Sequence, residues 1–150
     1  MAYYKKVLQP DETVKYVGKL HWIMYRHAIL LAILAAIPTV MASQLPGQFG
    51  PILTAILLLL AAVSFLSAWF VRVTTEIVVT SKRVIHKVGW ISRQTQEMNI
   101  TKVETVDVNQ SLAGRLLGFG EVAIRGIGGS WEPLRWIAAP LELRNAVMVG

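Results

Sequence analysis

Lys82 and Arg83 stand side by side, with Lys87 and Arg93 a few residues further on. Four cations over so short a run can gather at an anionic surface, where each Lys or Arg contributes about 1 kcal/mol. The same residues can also do no more than solubilise exposed strand ends. Two adjacent cations are not in themselves a pocket. A second group with interaction chemistry is Leu112–Phe119 (LAGRLLGF). Leu112, Leu116, Leu117 and Phe119 are too many apolar side chains for a solvated loop. They either pack into a sheet or form a subunit or membrane contact, with Arg115 as its polar rim. Trp90, followed by Ile91, poses the same choice.

Other chemistries find no support. His21, His27 and His86 have no partner at i+4, and the chain has no cysteine. That leaves no thiolate nucleophile or disulfide framework and no pattern for a metal site. Gly118-Phe119-Gly120 and Gly126-Ile127-Gly128-Gly129 lack the spacing of a phosphate-cradling loop and serve turn geometry instead. No Ser/His/Asp constellation carries a local signature. The chain is expected to be non-enzymatic, with no catalytic residues, no metal and no cofactor.

The elements that position these residues follow from the charge pattern. The 150-residue chain has 15 Lys or Arg and 9 Asp or Glu, and none of them lies between Ala28 and Val71. A bilayer core about 30 Å thick needs roughly 20 helical residues, and this stretch holds two such segments. Helices are expected over about 23–45 and 51–71. They are separated by Gln44-Leu45-Pro46-Gly47-Gln48-Phe49-Gly50, whose Gly and Pro residues break a helix. Pro38 implies a kink and Pro51 suits a first turn. A cleaved signal peptide fits poorly, because the apolar run begins late and a second follows.

Lys5, Lys6, Lys15, Lys19 and Arg26 flank the hairpin on one side, and Arg72, Lys82, Arg83 and Lys87 on the other. The connecting loop has no Lys or Arg, so both termini are expected in the cytoplasm of an inner-membrane, multi-pass protein. Trp22 with Tyr25, and Trp69 with Phe70, suit the cytoplasmic interface. Ala28, Ala32 and Ala36 recur every four residues, as do Ser64 and Ala68, a spacing that lets membrane helices pack closely. Such a seam lies within the hairpin or between subunits. No ionisable residue lines these segments, which argues against an ion pathway.

After Arg72 the pattern turns to alternation. Strands are expected over Thr74–Thr80, Arg83–Val88, Gln94–Ile100, Glu104–Gln110, Glu121–Ile127 and Leu134–Ala138, with a helix from Pro140 to about Met148. Their spacing of about ten residues favours a barrel or sandwich. Residues 1–22 form an N-terminal segment in which Val14–Trp22 alternates like a further strand. The hairpin, residues 23–71, brings that segment and Thr74 to one membrane face, so the two can pair. The remainder, residues 72–150, completes the sheet domain. After Val71 there are ten basic and seven acidic residues. That near balance, without aromatics interleaved among the cations, argues against a nucleic-acid partner.

Several stretches resemble the bacterial pleckstrin-homology (PH) domain of small membrane proteins. Thr75-Glu76-Ile77-Val78-Val79-Thr80-Ser81-Lys82-Arg83-Val84-Ile85 resembles its opening, as does Ile100–Val108. The most specific stretch is Gln110–Val122 (QSLAGRLLGFGEV), followed by Arg125–Gly129 and Trp136–Pro140. Leu8-Gln9-Pro10-Asp11-Glu12 and Gly18-Lys19-Leu20-His21-Trp22 resemble the segment before the membrane hairpin. The resemblance implies an α+β membrane protein. Its parts are a two-helix transmembrane hairpin and a PH-like antiparallel barrel or sandwich closed by a C-terminal helix. It also suggests a lipid headgroup contact at Lys82, Arg83, Lys87 and Arg93, since PH domains often bind anionic headgroups around the first hairpin.

Together these features lead to a membrane-anchored scaffold or adaptor that self-associates. A module that binds or senses anionic lipid is the alternative, and an accessory subunit of an exporter or membrane protease a third. The expected partners are membrane lipids, further copies of the chain and other membrane proteins.

Overall fold

β-branched residues at alternate positions build two antiparallel sheets from chain on both sides of the apolar hairpin. The structure is a computed structural model that describes residues 7–41, 47–89 and 94–149. It divides into two compact units, Trp22–Arg72 and the chain on either side of it.

The first sheet has the order β1-β2-β3-β4, formed by Val14–Gly18, Glu76–Thr80, Arg83–Val88 and Gln94–Asn99. β1 lies antiparallel to β2, with Val17 opposite Val78 and Gly18 opposite Ile77. The second sheet contains β5 (Val103–Asn109), β6 (Phe119–Gly126), β7 (Gly129–Ser130) and β8 (Leu134–Ala138). β5 pairs with β6 along one edge, while β7 and β8 pair with successive parts of β6.

Of the expected barrel or sandwich, the barrel does not form: the two sheets are not closed on each other. Asn99 ends β4 by accepting from the Thr101 N–H, and a short 3-10 turn over Ile100–Lys102 redirects the chain into β5. The sheets share one core, and among the described residues an isolated bridge between Leu20 and Ile137 links them at one place. The Ala138 N–H donates to the Lys19 carbonyl at 2.9 Å, and the His21 N–H to the Trp136 carbonyl at 2.6 Å. Trp136 has a φ of +61° there, in the left-handed region that favours glycine. The backbone of β8 is thus distorted where it receives the strand leading to the hairpin.

Helix α4 (Pro140–Met148) covers the core, burying Leu143 and Val147 against Ile77, Val79, Val106, Val122, Ile124 and Ile137. Proline at its start and Glu142 in its first turn suit a helix N-terminus. The inner face of β2 contributes Ile77 and Val79 to this core. Val78 and Ile85 face the other side, yet are also fully buried. The centre of the first sheet is therefore covered on both faces.

In the other unit, a 3-10 turn at Trp22–Tyr25 leads into α1 (Arg26–Val40), and α2 spans Phe49–Thr74. Pro38 lies inside α1, and Pro51 in the first turn of α2. Residues 42–45, expected to end the first helix, fall outside the described residues. Both segments are long and apolar enough to cross a membrane.

Their contact follows a heptad rhythm. Ala28, Leu31, Ala35 and Pro38 turn inward on α1, and Gly50, Thr54, Leu57, Ala61, Ser64 and Ala68 on α2. Spacings alternating between three and four keep one face of each helix on its neighbour. Of the small residues that recur every four positions, Ala28, Ser64 and Ala68 lie in this contact, whereas Ala32 and Ala36 are exposed. A helix turns 3.6 residues at a time, so a strict four-residue repeat drifts off the contact face. Thr39 and Thr54 hydroxyls lie 3.2 Å apart across the two helices. At the opposite end, Tyr25 stacks on Phe65 at 5.0 Å, and the Arg72 guanidinium lies 5.8 Å from the Tyr25 ring centre.

Candidate functional site

The turn between β2 and β3 places Lys82 and Arg83 at one end of the first sheet. Their positions are set by the two acids that precede β1. Lys82 pairs with Asp11 at 2.6 Å, and both side chains are largely exposed. Arg83 is committed inward, through four hydrogen bonds. Its Nε and one terminal nitrogen reach both oxygens of Glu12 at 3.0 and 2.9 Å. The other terminal nitrogen reaches Glu97 at 2.7 Å, and a last bond goes to the Val7 carbonyl at 2.9 Å.

The Glu12 side chain is completely shielded from solvent, and that of Arg83 is only 19% exposed. The Thr80 hydroxyl donates to Glu12 at 2.6 Å and the Gln9 N–H at 3.1 Å. Burial alone would raise the Glu12 pKa. The donors from Arg83, Thr80 and Gln9 outweigh it and hold the carboxyl at about 2. In turn, hydrogen bonding to Glu12 pushes Arg83 up, against the opposing effect of burial. Arg83, Glu12 and Thr80 therefore form a buried clamp that fastens the N-terminal segment to the β2–β3 turn.

A cavity of about 310 Å³ beside the clamp is lined by Gln9, Lys82, Arg83, Glu97 and Asn99. Its two cations are answered by Asp11, Glu12 and Glu97. Lys87 is half-buried on β3, opposite Thr95 and Glu76 in register, and is already engaged. Arg93, the fourth expected headgroup contact, and Trp90 lie outside the described residues.

The Leu112–Phe119 stretch divides between core and surface. Leu112–Leu117 forms a six-residue helix, α3. Ser111 caps it by accepting from the Gly114 N–H at 3.1 Å, and Gly118 ends it with a φ of +79°. Gly114 has no room for a side chain: a Cβ there would lie 2.6 Å from the Phe119 carbonyl oxygen. Phe119 turns inward, with ring centres 5.3 Å from His21 and 5.9 Å from Trp136. It is therefore a core residue and not part of an outer contact. Leu112 and Leu116 project outward, each 86% exposed, and Leu117 is 43% exposed. Arg115 is exposed beside them.

The clamp's carboxylate was not singled out from the sequence, although a signal exists. Asp11 and Glu12 are the only acids before Glu76, and they meet the adjacent cations Lys82 and Arg83. Among the described residues no group of His, Cys, Asp and Glu is arranged to hold a metal ion.

The paired sheets and the closing helix define an α+β domain with a turn fastened at one sheet end. The bacterial PH domain family model matches residues 21–147, and the chain belongs to that family. No curated protein and no solved structure matches it.

Proposed function

We propose that the chain is a membrane-anchored, non-catalytic adaptor whose PH domain self-associates through α3. One observation carries the reading: Leu112 and Leu116, one turn apart, are both 86% exposed on a helix fixed at both ends. Exposed leucines are common singly, but two on one capped turn form a ready contact. A second copy is the natural occupant, since a small self-complementary patch generates a closed two-fold pair.

Membrane anchoring is supported by two helices whose apolar spans are only 17% and 11% buried. A core helix of a soluble protein would be buried; these present their side chains outward. The basic flanks favour both termini in the cytoplasm. The alternative, recognition of anionic lipid, draws on the family and on the overall charge of +6. The cluster at Lys82 and Arg83 lends it less, because its guanidinium is already satisfied by carboxylates.

The absence of cysteine allows a clean test. Leu116→Cys, made in the full chain and oxidised in nanodiscs, should give a cross-linked dimer. Adding Leu112→Glu should abolish it. A protein that stays monomeric and uncross-linked at high loading would refute self-association through α3.

A further inference from the structure

β5 is an edge strand. Its partner is β6, and among the described residues no strand pairs with its other side. Such an edge presents N–H and C=O groups at alternate residues, a template on which another extended chain can pair. Helix α4 packs against β5. Near the end of the strand, a cavity of about 410 Å³ opens among β5, α3 and α4. Val108 and Leu141 form apolar parts of its wall, and Gln110, Arg115 and Arg144 polar parts.

Charge selects the occupant. Asp107, the acid in this wall, is 3.2 Å from Arg125 of β6. Arg115 and Arg144 are exposed and form no ion pair among the described residues. Guanidinium groups bind carboxylates through two parallel hydrogen bonds, so two uncommitted arginines favour acidic side chains. The neighbouring strand edge favours a partner with its own regular N–H and C=O groups, which a lipid surface lacks.

We propose that the groove between β5 and α4 binds an extended acidic segment of a partner protein. The segment adds as a strand to β5, and its carboxylates pair with Arg115 and Arg144. This does not depend on self-association through Leu112 and Leu116: it requires an open β5 edge, not a second copy.

The probe is a fluorescein-labelled nine-residue peptide alternating valine and glutamate. It is titrated against the full chain in uncharged micelles and followed by anisotropy. Saturable binding is expected, weakened roughly tenfold by each of Arg115→Gln and Arg144→Gln, as loss of a charge-assisted contact implies. Replacing glutamate by lysine in the probe should abolish binding. Amide exchange should slow in β5 when the peptide is added to the unaltered protein, a readout that needs no variant to fold. Absence of saturable binding, binding indifferent to both arginines, or unchanged exchange in β5 would each overturn the proposal. So would phosphatidylglycerol vesicles that require both arginines while leaving β5 exchange unchanged, since that would make the site a lipid contact. Cross-linking at Leu116→Cys reads self-association separately, so either idea can fail alone.

Discussion

Replacing Glu12 by Gln removes one charge from the clamp while nearly keeping its shape. The carboxyl is held at about 2, against an ordinary value of 4.5. At 1.36 kcal/mol per pKa unit, that difference corresponds to about 3 kcal/mol of stability. Because the side chain is fully shielded from solvent, little of this is lost to screening. Removing one member of a buried pair costs about 3–5 kcal/mol. The lower end applies, because Arg83 keeps Glu97 and the Val7 carbonyl and is itself 19% exposed. The folded-state pKa lies below the unfolded one, so the stabilisation is complete above about 4.5 and fades as pH falls towards 2. The assay is urea unfolding of the full chain in uncharged micelles, followed through the circular dichroism of the sheets. At pH 7 Glu12→Gln should lose about 3 kcal/mol. The gap from the unaltered protein should narrow below pH 4.5 and close near pH 2. Equal stabilities at pH 7, or a gap that persists undiminished at pH 2, would refute the clamp's electrostatic origin.

Two steric predictions follow. Ala35 is 2% exposed in the helix seam, so Ala35→Leu should overpack it and destabilise the hairpin by about 1–3 kcal/mol, whereas exposed Ala32→Leu should change little; unfolding by dodecyl sulfate in mixed micelles reads both. A Cβ at Gly120 would lie 2.7 Å from Gln110 Cγ and 3.0 Å from Pro140 Cγ, while Gly129 has open space. Gly120→Ala should therefore lower the urea midpoint of the sheet domain and Gly129→Ala should leave it in place, and equal midpoints would contradict the close packing of β6 on α4.

Local signals made most of the elements legible. Alternation from Arg83 to Val88 and from Leu134 to Ala138 coincides with β3 and β8, and Pro140 opens α4. The uncharged stretch marked both apolar helices because desolvation leaves its trace in composition. Features that depend on distant partners were harder to see. Glu12 and Arg83 are 71 residues apart, and nothing in either segment alone says that a carboxylate is buried. The inward face of the apolar hairpin was hard to see because it mixes Leu31, Pro38, Thr54 and Leu57 with small residues, whereas a four-residue repeat of alanines is visible by eye. Helix α3 is too short for periodicity to show, yet Ser111 and Gly118 mark its two ends. Alternation also leaves barrel closure open, since that depends on whether β4 and β5 meet across the Ile100–Lys102 turn.

The position of the clamp follows from the topology. β1 and β2 are neighbours in the sheet, but the entire hairpin lies between them in sequence. For a flexible chain, closing a loop of that length costs about 4 kcal/mol. Much of that cost is met within the hairpin, where Tyr25 near its start lies against Phe65 and Arg72 near its end. What remains is to hold β1 against β2, and β1 offers only five residues, with an irregular register between Val14 and Tyr16. Asp11 and Glu12 lie just before that weak stretch, and Lys82 and Arg83 just after the strand it must join. The Ser81 N–H also donates to the Thr13 carbonyl, at 2.9 Å. Two charge pairs and this backbone bond thus continue the β1–β2 contact past the end of the strands. The most conspicuous cations of the domain are therefore better explained by the sheet they close than by a ligand they await, which directs the search for partners to α3 and the β5 edge.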